Sequence, residues 1–224
     1  MKFGFYVSNK ATRIKKAITL LQADQQLKSL LYDIRFVYRD SNVSDSLNDL
    51  CMQENIFFLE EDFSKVDKGE RSLALSNSLL NLMKKMNVNY LFVFGSRILK
   101  GELIEQYKNG IINFHPSLLP AFPGINSIDQ AVEYGSFISG NTAHFIDSGI
   151  DSGEIIMQNI SLLKNELNYD EILDKQLPML VQIMIWLKEG RMNIQGRKVR
   201  VKNAGYDLQS YIPNLEIKIS GMKV

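Results

Sequence analysis

The sequence predicts an α/β fold: an open, mostly parallel twisted sheet with helices on both faces and antiparallel strands added toward the C-terminus. Three observations carry this. Short apolar runs such as Lys2 to Val7 and Tyr90 to Phe94 alternate with segments whose apolar residues recur at helical spacing, the pattern of parallel strands joined by right-handed helical crossovers. Tyr90 to Phe94 is apolar throughout, as befits a parallel strand covered on both faces. After Pro123, two strand patterns are separated only by the turn-rich DSGIDSG, a short link that suits an antiparallel pair.

Taken in order, Lys2 to Val7 reads as the first strand, Ser8-Asn9-Lys10 as a turn, and Ile14, Ala17, Ile18 and Leu21 as the inward stripe of a helix. Asp33 to Tyr38 is a second strand, and Val43 to Glu54 a helix offered Ser41 and Asn42 as caps. Ile56 to Leu59 follows as a third strand. A polar connection through Lys68 leads to a helix over Ser72 to Met86 with Leu73, Leu79, Leu80 and Met83 inward. The strand Tyr90 to Phe94 leaves through Gly95-Ser96-Arg97 into a short helix, Ile98 to Tyr107, before a strand that starts at Ile111. Ser127 to Tyr134 is a helix with Ile128, Ala131 and Val132 inward, and Phe137 to Ile146 and Glu154 to Leu162 are the antiparallel strands. Tyr169 to Glu189 is a long helix that should kink or break at Pro178. MNIQGRKVRVKN and LEIKIS read as short peripheral strands, so residues 1–190 are expected to form the main domain and residues 191–224 a short peripheral extension.

With 224 residues, 45% of them hydrophobic, the chain can bury a full core in one domain. A formal net charge of +1 supplies no field to draw it to nucleic acid or an anionic membrane. The basic run GRKVRVK alternates with Val199 and Val201, the pattern of a half-exposed strand. Cys51 is the only cysteine and cannot form an internal disulfide; it reads as a small core residue. The apolar run of MKFGFYVSNK is too short for a signal peptide and no window approaches a membrane span. A cytoplasmic location is expected.

Chemistry concentrates between Ile111 and Ile156, which holds both histidines, His115 and His144, and three of the five prolines, Pro116, Pro120 and Pro123. Asn113 and His115 flank Phe114, so on a strand they share one side and Phe114 takes the other. Two hydrogen-bonding groups aimed together from the end of a strand can hold a developing oxyanion, and an open α/β sheet puts its chemistry at strand ends. Asp151, in the turn after the His144 strand, is a carboxylate able to keep the His115 imidazole charged or to accept a proton. Each also has a plain structural reading: strand-end cap, packed histidine, turn former. No Cys/His spacing suggests zinc, no GxGxxG follows the first strand, and no GxSxG is present.

The run Asn113-Phe114-His115-Pro116-Ser117-Leu118-Leu119-Pro120, then Phe122-Pro123-Gly124, Gly140-Asn141-Thr142-Ala143-His144-Phe145 and Asp151-Ser152-Gly153, closely resembles folate-dependent formyltransferases of the glycinamide ribonucleotide transformylase type. The resemblance extends more weakly from Met1 to about Arg191. It implies that Asn113, His115 and Asp151 are the catalytic residues, and that Arg97, Ile98 and Leu99 with Phe145, Ile146 and Asp147 receive the pterin of 10-formyltetrahydrofolate as co-substrate, with no metal. It also implies a cis peptide at Leu119-Pro120. Thr12, Arg13, Arg71, Pro116 and Gln176 fall where the family holds its acceptor.

Two places depart from the family pattern. The Gly-Ser-Asn turn after the first strand, which grips the acceptor phosphate in the purine enzyme, is Ala11-Thr12-Arg13 here, and a substrate-binding glutamate is Gln176. The expected activity is therefore formyl transfer to a primary amine of a small phosphorylated or nucleotide-linked molecule, with an amino sugar favoured slightly over glycinamide ribonucleotide, the acceptor of purine biosynthesis. Methionyl-tRNA formylation is disfavoured because no basic C-terminal RNA-binding domain is expected, and a formyltetrahydrofolate hydrolase because there is no room for that family's extra N-terminal domain. A non-catalytic folate-binding protein is the alternative of another class. No nucleic acid or membrane partner is implied, and a homodimer is compatible with this reading.

Overall fold

Five consecutive buried residues, Phe3–Val7, form β1, and Phe36–Tyr38 and Leu91–Val93 on the strands beside it are buried too. The computed structural model describes residues 1–163, 168–207 and 209–218. The chain divides into two compact units, residues 1–112 and residues 113–224. The predicted class is realised: an α/β fold with a mixed, mostly parallel sheet and antiparallel strands toward the C-terminus.

In the first unit β1 is followed by α1 (Thr12–Ala23), the short α2 (Lys28–Leu31), β2 (Ile34–Arg39), α3 (Leu47–Gln53), β3 (Phe57–Glu60), α4 (Arg71–Met86), β4 (Tyr90–Phe94) and α5 (Glu102–Gln106). The strands pair in parallel in the order β4-β1-β2-β3. Ile14, Ala17, Ile18 and Leu21 are the buried stripe of α1, as their spacing predicts. Helix α3 starts later than expected, and neither Ser41 nor Asn42 caps it. The guanidinium of Arg39 donates to Val43 O (2.6 Å) and Asp45 Oδ1 (2.9 Å) and so holds residues 43–45 out of the helix, while Asp45 accepts from Leu47 N (3.1 Å). Ser41 Oγ instead accepts from Asn9 N (2.9 Å). Leu73, expected inward, is 42% exposed. The inward stripe of α4 runs through Leu75, Leu79, Leu82 and Met83, and a residue two before Leu75 lies on the opposite side of a 3.6-residue turn. Helix α5 begins only at Glu102 because Gly101 (φ 72°, ψ −152°) is far from helical geometry.

Strand β5 (Ile111–His115) begins in the first unit and ends in the second, which continues with α6 (Ser127–Glu133), β6 (Ile138–Phe145), β7 (Ile155–Leu162), α7 (Tyr169–Asp174), α8 (Gln176–Lys188), the hairpin β8 (Met192–Gln195) and β9 (Lys198–Val201), and β10 (Tyr211–Ile212). The order here is β10-β7-β6-β5, and the β6–β7 pair is antiparallel, as is β7–β10. Val132 is 47% exposed because the buried side of α6 is centred on Ser127, Ile128 and Ala131. The long C-terminal helix is broken at Lys175. Pro178 then sits in the first turn of α8, where a missing N–H is harmless; in a continuous helix its ring would strike the carbonyl of Asp174. Leu215–Lys218, the described part of LEIKIS, is not a strand; Ile219 and Ser220 lie outside the described residues. The bond Leu119-Pro120 is cis, as expected, and so is Ile212-Pro213. Among the described residues no helix is long and apolar enough to cross a membrane.

Cys51 is fully buried on α3, and burial pushes its thiol up to about 12, with the nearby Asp45 charge adding to the shift and that of Arg39 opposing it. The native protein should therefore leave a thiol reagent unreacted at pH 8 and take up one equivalent only on unfolding. Stoichiometric labelling of the folded protein would contradict the burial described here.

Candidate active site

The last residues of β5 set the site. Phe114 is buried on one side, and the alternation of the strand places Asn113 and His115 together on the other. Beyond His115 the loop folds back on itself. Thr142 Oγ1, on β6, donates to Ser117 O (2.7 Å) and accepts from Leu119 N (3.1 Å), and Gln158 Nε2, on β7, donates to Leu119 O (3.0 Å) and Thr142 Oγ1 (3.0 Å). Ser127 Oγ, at the start of α6, holds Pro116 O at 3.0 Å. These buried bonds return the chain so that Phe122 O lies 2.9 Å from His115 Nε2 and Gly124 N donates to Asp151 Oδ2 at 2.8 Å.

Asp151 is the centre of the cluster. Its Oδ2 lies 3.3 Å from His115 Nδ1 and its Oδ1 3.6 Å from His144 Nε2. Asn113 Nδ2 is 3.2 Å from the same His144 nitrogen. Asp151 adopts a left-handed backbone (φ 49°), costly for a residue with a Cβ and characteristic of functional sites. The turn it belongs to packs so tightly that a Cβ on Gly153 would fall 1.8 Å from Phe145 O, which is why glycine follows Asp151-Ser152. His144 reaches the carboxylate because the β6–β7 register slips between Ala143 and His144; such a bulge re-aims the side chain it carries.

Both ring nitrogens of His115 face acceptors, Phe122 O and the Asp151 carboxylate, so only the doubly protonated ring donates to both. His144 has Nδ1 engaged with Phe145 O (2.8 Å), which leaves Nε2, between the Asn113 amide and Asp151, as its exchangeable position. Burial pushes the Asp151 carboxyl up, but the His144 hydrogen bond, the Gly124 N–H and the charges of both imidazoles outweigh it and hold the group below the usual carboxylate range. A carboxylate flanked by two imidazoles beside a side-chain amide can stabilise charge on a carbonyl oxygen and pass a proton.

The other expected site residues are distributed as follows. In the first unit, Arg97 donates through Nε to Asp40 Oδ2 (2.7 Å), Ile98 is 63% exposed, and Leu99 belongs to the core. Ala11 takes a left-handed conformation (φ 48°, ψ 36°), and its carbonyl accepts from Ile14 N and Lys15 N; Thr12 is exposed and the Arg13 guanidinium lies 5.8 Å from the Phe94 ring centre. Arg71 donates to Val66 O and Ser64 O (both 2.8 Å), holding the chain ahead of α4. In the second unit, Phe145 is buried, Ile146 and Asp147 are half-buried, and Asp147 Oδ1 accepts from Gly149 N and Ser152 Oγ. Gln176 is buried: its Nε2 donates to Asn141 Oδ1 (2.8 Å) and Phe114 O (3.4 Å), and its Oε1 has no partner among the described residues. His144 was not expected to join the cluster. Its signal in the sequence was slight: the second of only two histidines, at a strand end in the same stretch.

The chain belongs to a known class. Residues 1–184 match the family described as formyl transferase, and the chain belongs to that family. Among its relatives, the phosphoribosylglycinamide formyltransferase of Bacillus subtilis (strain 168) is 38% identical over 90 residues, 40% of this chain and 46% of the relative. The methionyl-tRNA formyltransferase of Borreliella afzelii (strain PKo) is 33% identical over 121 residues, 53% of this chain and 38% of that protein. The matched parts thus span less than half the length of these two relatives. The crystal structure of glycinamide ribonucleotide transformylase 1 from Symbiobacterium toebii superposes with a TM-score of 0.75 at 25% identity, covering 91% of this chain and 94% of that one.

Because the folded-state value of Asp151 is depressed, its ionised form contributes stability above the unfolded value of about 4, and that contribution is lost as pH falls through the lower folded value. Asp151→Asn should be less stable than the parent by about 1–3 kcal/mol at pH 7, with the gap closing on acidification. Urea midpoints measured across pH 3 to 7 check this; a gap independent of pH would rule it out.

Proposed function

We propose that this chain is a 10-formyltetrahydrofolate-dependent N-formyltransferase and that its acceptor is the primary amine of glycinamide ribonucleotide. The observation that carries the reading is the cluster of Asn113, His115, His144 and Asp151 at the ends of β5 and β6, in a chain of the formyl transferase family. The donor supplies an activated formyl carbon. Asn113 and protonated His115 hold negative charge on the formyl oxygen as the amine attacks, and Asp151 keeps the imidazole charged and takes part in moving the amine proton.

The family resemblance assigns the donor to residues of each unit. In the first unit Arg97 offers an oriented guanidinium and Ile98 an exposed apolar face in the loop after β4; in the second, Ile146 and the Asp147 carboxylate lie half-buried after the end of β6. For the acceptor, the slight preference for an amino sugar is replaced by glycinamide ribonucleotide. Relatives named for phosphoribosylglycinamide support this, and so does Ala11, whose left-handed backbone makes the turn without a glycine. Thr12 and Arg13 at the start of α1 would then meet the phosphate. Gln176 would act through the β5 backbone and its free Oε1 rather than as a carboxylate.

Asn113→Ala, His115→Ala and Asp151→Ala should each lower turnover by about two orders of magnitude or more in a tetrahydrofolate-release assay; wild-type rates in all three would remove the mechanism. Offered glycinamide ribonucleotide and nucleotide-linked 3-amino and 4-amino sugars with one donor, the protein should formylate the ribonucleotide. Transfer to a sugar alone would reverse the acceptor assignment.

A further inference from the structure

The turns after β1, β2 and β4 are tied to one buried carboxylate. Asp40, directly after β2 and 4% exposed, accepts from Tyr6 Oη (2.9 Å) and Arg97 Nε (2.7 Å) on Oδ2 and from Ser8 Oγ (2.8 Å) on Oδ1. The backbone completes the knot: Ser96 N donates to Ser8 Oγ (3.1 Å), and Arg97 N to Tyr6 Oη (3.4 Å). Tyr6 also explains Gly95, since a Cβ there would fall 2.2 Å from the Tyr6 ring. Burial, followed by the Asp40 charge, pushes the Tyr6 phenol well above its usual range, so Tyr6 remains a donor to Asp40 at every working pH. An arginine gripped at Nε by a buried carboxylate has its planar fork fixed in direction, while its terminal nitrogens can still engage a ligand; the Arg97 side chain keeps 31% of its surface exposed.

We propose that Asp40 is a positioning residue for the folate donor: through Tyr6, Ser8 and Arg97 it holds the loop after β4 in the form that receives the donor and locks that loop to the turn after β1. This rests on the donor-loop assignment made above, and none of its groups need touch the reacting atoms. Substitution should therefore change donor affinity far more than the rate at saturation, whereas a purely structural role would lower stability and every kinetic constant together.

The test is steady-state kinetics with 10-formyltetrahydrofolate and glycinamide ribonucleotide on Asp40→Asn, Arg97→Gln, their double variant and Tyr6→Phe. Asp40→Asn and Arg97→Gln should each raise the donor KM by about tenfold with kcat within about threefold, and the double variant should be no worse than Arg97→Gln alone, since Asp40 acts through the arginine. Tyr6→Phe keeps the ring over Gly95 and removes only the hydroxyl, so it answers the question even if Asp40→Asn fails to fold; its donor KM should rise about threefold. An unchanged donor KM in Tyr6→Phe and Asp40→Asn, an equal loss in kcat, or multiplied effects in the double variant would overturn the proposal. A wild-type protein that uses no folate donor would overturn the donor assignment itself, and this proposal with it.

Discussion

One carboxylate, Asp151, organises the polar cluster of the second unit. Its two oxygens face two imidazoles from different strands, and it is itself fixed by the Gly124 N–H of the loop that follows β5. Two stretches of sequence, β5 with the loop that follows it and the end of β6 with its turn, thus depend on a residue held in a backbone conformation that costs energy. The compensation comes from buried hydrogen bonds around Thr142 and Gln158, which fix the proline loop, and from the glycine that lets the Asp151 turn pack against the end of β6. Rigid strands supply the precision, and the loops supply the unusual backbone that brings acceptors to the histidines.

The polar residues of the GNTAHF segment divide into two kinds. Asn141 and Thr142 are wholly buried and structural: Asn141 donates to Asn159 Oδ1 and Ile172 O (both 2.7 Å) and accepts from Gln176, while Thr142 pins the loop. His144, two residues on, follows the bulge and faces the Asp151 carboxylate instead. Gln176 links the two groups, because its amide also reaches the carbonyl of Phe114 between Asn113 and His115. A satisfied buried amide network specifies one arrangement of these strands.

Much of this could be read from the residues. The alternation of apolar runs and helical stripes places β1, β4, β5 and α1 nearly residue for residue, and the antiparallel β6–β7 pair follows from its short link. Asn113 and His115 were legible as a pair because a strand imposes a period of two. What escaped was set by distant partners. Arg39 delays α3, the β6–β7 bulge aims His144, and Leu73 falls outside because the true stripe of α4 starts two residues later. The turn after β1 is the reverse case: Ala11 stands where the family pattern has glycine, yet it adopts the left-handed geometry regardless, because the surrounding fold overrides a local preference of a residue with a Cβ.

If Asp151 and His115 work as one unit, their losses cannot multiply. The most direct measurement is a double-mutant cycle on kcat/KM for formyl transfer, using His115→Ala, Asp151→Asn and the two combined. The account predicts that the double variant is within about threefold of the worse single variant, since removing either member already disables the pair. Losses that multiply across the cycle would show two independent groups and contradict the organisation described here.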